Sequence, residues 1–376
     1  MSQIKETKIS MKKWKDLRET VCPGHEFMAH QWFNAWEKSF LPSDGWRAPL
    51  YNLKAFDRYG KLSGVLPLAV QVKFGFKLLA LGGYYFPFRS IPIAEDEYES
   101  ACLMFADMLD RFPKSSGLRL GPVQANDKGV LCLVRMLAEK GWHLFPIKIP
   151  YMEFILHLPD SYDTYKKEIL GKKYLKRLRY YTNKMKKHGT FAIKAFTSRD
   201  SENFDEILAI LQKIESESWL AAQGGVMKFM GRRNFDFWHR VFNDKNAPQS
   251  AKVWILYFNQ QPVSFLFTID SGACRYALAQ SYSLSVSAFS TGPILYSQAM
   301  EDSIADKISI INLGIGDEHF KRQWGGIPES SQVDWLAFRP DFGGRLLYSL
   351  ILAKTKIDKF RQYIKKIKAA KKGGRK

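Results

Sequence analysis

The sequence predicts a mixed α/β protein of two domains followed by a basic helical tail. Three observations carry that prediction. Strand-like apolar runs alternate with amphipathic stretches of helical period along most of the chain. Both halves follow one layout, helix first and sheet after. The last segment, 354–376, breaks from both, with eleven Lys/Arg and one acid. The expected divisions are 1–150, 151–340 and 341–376.

In the first half, "HEFMAHQWFNAWEKSF" spaces Phe27, Trp32, Phe33 and Trp36 along one broad helical face. "APLYNLKAFDRYGKLSGVLPLAVQVKFGFKLLALG" alternates strand-like runs about a turn at Asp57-Arg58-Tyr59-Gly60. A helix "EDEYESACLMFADMLDRF", a strand "SGLRLGPV", a helix near 127–141 and a strand "WHLFPIKIPYMEFIL" complete it. "LPDSYDTY" then supplies an N-terminal cap for a basic helix. The second half opens with "SENFDEILAILQKIESESWLAA", capped at Ser201, and a second aromatic helix, "NFDFWHRVFND". Three strands follow, "AKVWILYF", "QPVSFLFTID" and "CRYALAQSYSL", joined by turns at Asn259-Gln260-Gln261 and Ser271-Gly272. "SAFSTGPILYSQAMEDSIADK" is a loop feeding a helix, "ISIINLGIG" a strand, "DEHFKRQWG" a short helix or turn, and "QVDWLAFRP" the last strand. No short-period repeat is visible.

Composition narrows the function classes. With 46% apolar and 14% aromatic residues the chain is globular rather than disordered. The nearest approach to a membrane span, Leu62 to Phe86, is broken by Lys73, Lys77 and glycines. "MSQIKETKISMKKWKD" has no signal-peptide core, so a cytoplasmic protein is expected. Cys22, Cys102, Cys132 and Cys274 are scattered, and the lone Cys22–His25 pair has no second pair to complete a zinc site. Reduced thiols and no metal are expected. The net charge of +20 is concentrated: residues 165–188 hold ten Lys/Arg and one acid, and 354–376 supply most of the rest. Two basic elements, rather than a uniformly basic surface, would meet an anionic partner.

Four stretches resemble one family closely. They are "KKYLKRLRYYTNKMKKHG", "IESESW", "VWILYFNQQPVSFLFTIDSGACRYALAQSYS" and "FSTGPILYSQAMEDSIADKISIINLGIGDEHFKRQWG". Together they resemble the CelD/BcsL family of GNAT-like acetyltransferases, associated with exopolysaccharide production and related to the FemAB peptidyltransferases. The resemblance covers residues 150–326 and extends more weakly to "GVLPLAV" in the first half. It implies two tandem GNAT-like acyltransferase domains, the first degenerate, with a cleft between them. It also implies acetyl-CoA or another acyl-CoA as donor, no metal, and a sugar or glycan precursor as acceptor.

In a GNAT-type site two neighbouring parallel strands splay, and the pantetheine of the donor pairs with the freed amides. The pyrophosphate then sits on the next helix's N-terminus, where free N–H groups and a partial positive charge meet it. Here the strand would be Tyr276 to Tyr282, giving Gln280, Ser281 and Tyr282. The helix start would give Ser290, Thr291 and Gly292, with Pro293 at the first helical position. The alternative is an ordinary capped helix. The loop "LSVSAFSTG" has one glycine and no Lys or Arg, which leaves room for aminoacyl-tRNA, the donor of the FemAB relatives.

The family's Gly-x-Gly-Asp-Glu strand end, lysine and tryptophan match Gly314, Gly316, Asp317, Glu318, Lys321 and Trp324. Phe320 stands where the family has tyrosine. Gly314-Ile315-Gly316 also lacks the third glycine of a dinucleotide fingerprint. Asp317 or Glu318 is expected to take a proton from the attacking group, and Lys321 to bind an anionic group. The alternative has Asp317 capping the short helix and pairing with Lys321 on the surface. Glu215 is a further candidate base: residues four apart share a helix face, so a cleft-facing Trp219 would bring Glu215 with it. Lys173 and Arg177 of the basic helix, with Trp219 and Trp324, are the candidate acceptor contacts.

In the tail, Ile357, Phe360, Ile364 and Ile367 form one apolar stripe on a cationic helix, as suits an anionic membrane surface. The expectation is thus a cytoplasmic acyltransferase, peripheral at the inner membrane. Its competitors are an inactive GNAT-like module that binds an anionic precursor, and a transferase that uses aminoacyl-tRNA.

Overall fold

The computed structural model of the protein describes residues 9–21, 26–43, 45–83, 86–113, 115–200, 202, 204–243, 249–316 and 318–355. The strands are β1 (Trp46–Phe56), β2 (Leu62–Lys73), β3 (Phe76–Leu81), β4 (Gly117–Gln124), β5 (His143–His157) and β6 (Phe191–Thr197), then β7 (Ser250–Phe258), β8 (Gln261–Ser271), β9 (Cys274–Tyr282), β10 (Ile310–Ile315) and β11 (Ile327–Phe338). They form one mixed sheet in the order β1-β2-β3-β4-β11-β5-β10-β9-β8-β7-β6.

The two antiparallel runs at the ends of the sheet follow from local sequence. Asp57 accepts from the amides of Tyr59 (2.9 Å) and Lys61 (2.8 Å), which closes the β1–β2 turn. Asn259 and Gln260 both take positive φ in the two-residue β7–β8 turn. The middle of the sheet is non-local. β11 inserts between β4 and β5, pairing Trp335 with Leu120 on one side and with Pro146 on the other. Residue 150, the expected boundary, falls inside β5. That strand pairs with β11 from His143 to Ile155 along one edge and with β10 through Glu153–His157 along the other.

The helices are α1 (Met11–Arg18), α2 (His30–Phe40), α3 (Tyr98–Asp110), α4 (Lys128–Glu139), α5 (Tyr162–Thr164) and α6 (Gly171–Lys186), followed by α7 (Phe204–Ser216), α8 (Trp219–Ala222), α9 (Arg232–Phe242), α10 (Thr291–Ala305), α11 (Glu318–Gln323) and α12, residues 342–355. Side chains alternate across the strands and so sort the helices into two layers. Val65, Ala80, Phe265 and Phe267 face one core, shared by α1, α2, α7 and α9 and continuous across both halves. Leu66, Leu79 and Leu81 face α3 and α4, and Leu266 faces α6 and α10.

Trp32 of α2 ties the halves together. Its ring lies 5.8 Å from that of Phe237 and 6.3 Å from that of Trp238, and its Nε1 donates to Gln249 Oε1 at 2.9 Å. The Trp32–Trp238 contact is edge-on and the Trp32–Phe237 contact tilted, and aromatic pairs of this kind add about 1 kcal/mol each beyond burial.

The basic helix differs from its sequence reading. Ser161 does cap its start, accepting from the Thr164 amide at 3.1 Å. Residues Tyr165–Leu170 then form a π-helical turn, and Gly171, at φ 71°, breaks the axis before α6 begins. Cys22, His25 and Ser201 lie outside the described residues, as does the tail stripe from Ile357 to Ile367.

Candidate active site

The two middle strands of the second half part company. β10 runs parallel to β9 only from Ile310, opposite Cys274, to Asn312, opposite Tyr276. Beyond that, Gly314 and Ile315 pair with Phe154 and Glu153 of β5, and the described pairing of β9 from Ala277 on is with β8. The switch is built into the sequence. Gly314 takes φ 69°, its amide donates to Asn312 Oδ1 at 2.8 Å, and the β5 register shifts there. The extra residue between Asn312 and Gly314 is therefore a bulge at the point where the cleft between the strands opens.

Two cavities meet at this splay, and Gln280 lines both. One, of about 400 Å³, is bounded by Phe88, Glu153, Lys228, Tyr296, Asn312 and Lys321 among others. The other, of about 420 Å³, is bounded by Trp219, Tyr282, Ser290, Thr291, Gly292 and Phe320. A third and larger groove, about 790 Å³, runs between α6 and α11. Its lining includes Lys173, Tyr174, Arg177, Tyr180 and Arg322. The six-residue α11 is the junction: Lys321 faces the first cavity, Phe320 the second, and His319, Arg322 and Gln323 the third.

The expected donor residues gather at the second cavity, with amendments. Gln280 and Tyr282 share a strand face and line it, whereas Ser281 between them is buried on the opposite face. Thr291 is buried and its hydroxyl donates to Ser264 Oγ at 3.1 Å, so the backbone is the part turned to the cavity. Helix α10 begins at Thr291 with Ser290 as an N-cap at φ 54° that makes no side-chain cap hydrogen bond. Pro293 is accordingly the third helical residue, not the first. Gly292 packs beneath Gln280, whose Nε2 lies 2.2 Å from where a Cβ would stand. The loop's missing cation comes from α6: Lys184 Nζ donates to Ala288 O at 2.9 Å.

The catalytic candidates separate. Asp317 lies outside the described residues, and Glu318 is the first residue of α11. Lys321 is only 7% exposed, with its ammonium 5.8 Å from the Phe154 ring, so it is turned into the first cavity rather than to the surface. Glu215 differs from its expectation. α7 ends at Ser216, and Ser218 starts a new helix by accepting from the Ala221 amide at 3.3 Å. The four-residue spacing to Trp219 therefore spans a break. Trp219 is exposed and lines the second cavity, whereas Glu215 is buried. Its carboxylate accepts the amides of Lys228 (2.8 Å), Phe229 (2.7 Å) and Met230 (3.0 Å), which commits it to holding that loop.

Trp324 also departs from its expected role. It is fully buried, 5.2 Å from the Tyr174 ring and 5.4 Å from Tyr296, and belongs to the core. Lys173 and Arg177 do line a groove. Arg177 sits 4.6 Å over the Tyr174 ring and donates to Gln323 Oε1 at 2.7 Å, tying α6 to α11. Burial pushes the Tyr174 phenol up to about 12 even with Arg177 opposing it.

Sequence reading missed Glu153, Lys228 and Tyr296. Glu153 is 2% exposed and accepts from Gln124 (3.0 Å), Asn312 (3.0 Å) and Ser330 (2.7 Å), which joins β4, β5, β10 and β11 at the cavity floor. Its one signal was an acid inside the apolar run "YMEFIL". Burial lowers the Lys228 ammonium pKa, with Glu215 partly offsetting it. Tyr296 of α10 lines the first cavity and stands edge-on to Phe320 at 5.0 Å. Among the described residues no group of three or more His, Cys, Asp or Glu could hold a metal ion.

A family model described as an acetyltransferase (GNAT) domain matches residues 172–322. No curated protein matches the sequence. Solved structures do match in fold. FemX aligns with a TM-score of 0.59 at 13% identity, over 92% of this chain and 99% of its own. L-PGS from Bacillus licheniformis aligns at 0.53 and 14% identity, over 94% and 99%. A tandem GNAT protein from the clavulanic acid biosynthesis pathway aligns at 0.51 and 12%, over 88% and 95%. With the splayed β9–β10 pair, these place the chain in the GNAT acyltransferase fold, in the extended form shared with FemX and L-PGS.

Proposed function

We propose that the protein is a transferase that passes an activated acyl group to an amine or hydroxyl of a sugar or glycan precursor of the cell envelope, with aminoacyl-tRNA as donor. The observation that carries this reading is the splay itself. One edge of β9 is given up by β10, the N-terminus of α10 lies at one end of it, and Lys321 lies in the cavity at the other. The donor's carbonyl would sit between them. The acceptor's nitrogen or oxygen forms a bond to that carbonyl carbon, and the ester bond to the tRNA ribose breaks. Lys321 supports the charge that develops on the carbonyl oxygen. Asp317 or Glu318 receives the proton of the nucleophile and returns it to the leaving ribose hydroxyl. Glu215 has no part in this chemistry, because its oxygens hold the 228–230 loop.

The choice of donor rests on where the positive charge lies. The loop before α10 carries none of its own, while α6 brings Lys184 to its rim and Lys173 and Arg177 to the neighbouring groove. That arrangement suits a polyanion lying across α6 better than a pyrophosphate nested in a glycine loop. Acyl-CoA is the second reading, favoured by the matched GNAT domain and by the open N-terminus of α10. The resemblance to CelD/BcsL proteins and to FemAB relatives supports an envelope precursor as acceptor.

The test titrates the purified protein, and its Gly292→Asp variant, with charged tRNA, uncharged tRNA and acetyl-CoA. Tighter binding of charged than uncharged tRNA, lost in the variant, is expected. Heat from acetyl-CoA that the variant abolishes would restore the acyl-CoA donor. Equal binding of both tRNAs, unchanged in the variant, would reduce the interaction to bulk charge.

A further inference from the structure

Helix α12 carries an apolar stripe on its outer face as well as on its packed inner face, unlike an ordinary surface helix. Its inner face is held by Leu347 and Ile351, which pack on Leu78, Leu336 and Phe338, and by Tyr348 stacked on His143 at 5.4 Å. Its outer face should then be polar. Instead Phe342 is 83% exposed, Leu346 40% and Leu350 39%, each four residues after the last and so on one stripe. Exposed Ala353 extends the stripe, and Arg345 and Lys354 flank it. Residues 342–355 contain no acid; Asp341, just before them, is paired to Arg339 at 3.3 Å.

A second element carries the same chemistry on the same side. β2 and β3 pair out to Lys73 and Phe76, which leaves Phe74 and Gly75 as a two-residue turn with φ of 52° and 79°. Positive φ at both central positions favours Asn-Gly, and a bulky side chain there is strained. The side chain nevertheless points outward: Phe74 is 50% exposed, between exposed Lys73 and Lys77. An aromatic held at positive φ on a half-exposed tip costs the fold strain for little burial, which points to a role at the surface. Lys354 Nζ lies 5.7 Å from the Phe74 ring, which puts the tip beside the last turn of α12.

We infer that α12 and the β2–β3 tip form a docking face for an anionic lipid bilayer, with Phe74, Phe342, Leu346 and Leu350 entering the headgroup layer. Charge selects this occupant. The cations bordering the apolar stripe are Arg345, Lys354, Lys73 and Lys77, and the chain runs on from α12 into 356–376, with ten Lys/Arg and one Asp. Apolar side chains at the acyl boundary with Lys and Arg at the phosphates is how an interfacial helix binds. The inference does not depend on which donor the transferase uses.

The test floats the full chain on phosphatidylcholine vesicles, with and without phosphatidylglycerol, at low and high salt. The variant Phe342→Ser/Leu346→Ser/Leu350→Ser keeps every charge, and the account expects about a tenfold or greater loss of partition to the anionic vesicles, clearest at high salt where charge is screened. Phe74→Gly relieves the positive φ. It should melt no lower than the parent and still bind about threefold less, which separates membrane contact from folding. Flotation of both variants equal to the parent would overturn the inference and leave binding to the tail's charge alone. Self-association of the parent that the triple variant abolishes, without flotation of either, would overturn it in favour of a second copy on this face.

Discussion

Glu215→Gln separates a structural carboxylate from a catalytic one. The carboxylate accepts three backbone amides, two on Oε2 and one on Oε1, and is 2% exposed. A glutamine of the same shape can keep the Phe229 and Met230 amides on its oxygen. Its NH₂ then faces the Lys228 amide, a donor against a donor. One charge-assisted hydrogen bond is lost and one buried N–H is left without an acceptor, for a total of about 4 kcal/mol. For a chain of 376 residues, whose unfolding entropy near the midpoint is about 0.8 kcal/mol/K, that lowers the melting temperature by about 5 °C. Calorimetry or circular dichroism reads the shift directly. Below its melting point the variant should keep most of its transfer activity, because the charge touches no reacting atom. A variant that melts with the parent but has lost transfer would refute this reasoning and return Glu215 to the chemistry.

Two further predictions follow from the same cavities. Burial holds the folded-state pKa of Lys228 below the ordinary 10.5, so its proton is bound more tightly in the unfolded chain. The resulting cost to stability is full below the folded value and fades as the pH rises toward 10.5. Lys228→Met should therefore melt higher than the parent at about pH 7 and converge on it by about pH 10; a gap that widens with pH would contradict the sign. Gly314→Ala has room, the nearest atom to the new Cβ being Ala277 O at 3.9 Å, but it places a side chain at φ 69°. A loss of about 1 kcal/mol in a denaturant titration is expected, with donor binding weakened several-fold as the bulge shifts. Unchanged donor affinity would mean that the bulge does not shape the cleft.

Local features were legible in the sequence. The hairpins at Asp57 and Asn259 and the cap at Ser161 follow from turn chemistry and capping, whereas the meeting of "YALAQSY" with "STG" at one cavity is what the family resemblance implies. Features set by distant parts of the chain were not. The insertion of β11 beside β5 depends on pairings between the first half and the last third of the chain, which no local pattern encodes. The Glu215 reading fails because spacing arguments assume an unbroken helix, whereas α7 ends at Ser216 and Ser218 starts a new one. Trp324 and Lys321, three residues apart, looked alike as site residues. Both are buried, but Trp324 packs in the core while Lys321 lines a cavity whose other walls include Glu153 of β5 and Lys228 of the loop after α8.

The most direct test of the account is transfer itself. Aminoacyl-tRNA carrying label in the amino acid is incubated with an extract of envelope precursors and either the parent protein or its Lys321→Met variant. Label should move from tRNA into a glycan-precursor fraction with the parent, and at least about a hundredfold more slowly with the variant. No movement from charged tRNA, with label instead transferred from acetyl-CoA, would contradict the proposed donor. Equal rates with parent and variant would contradict the role given to Lys321 and to the splay.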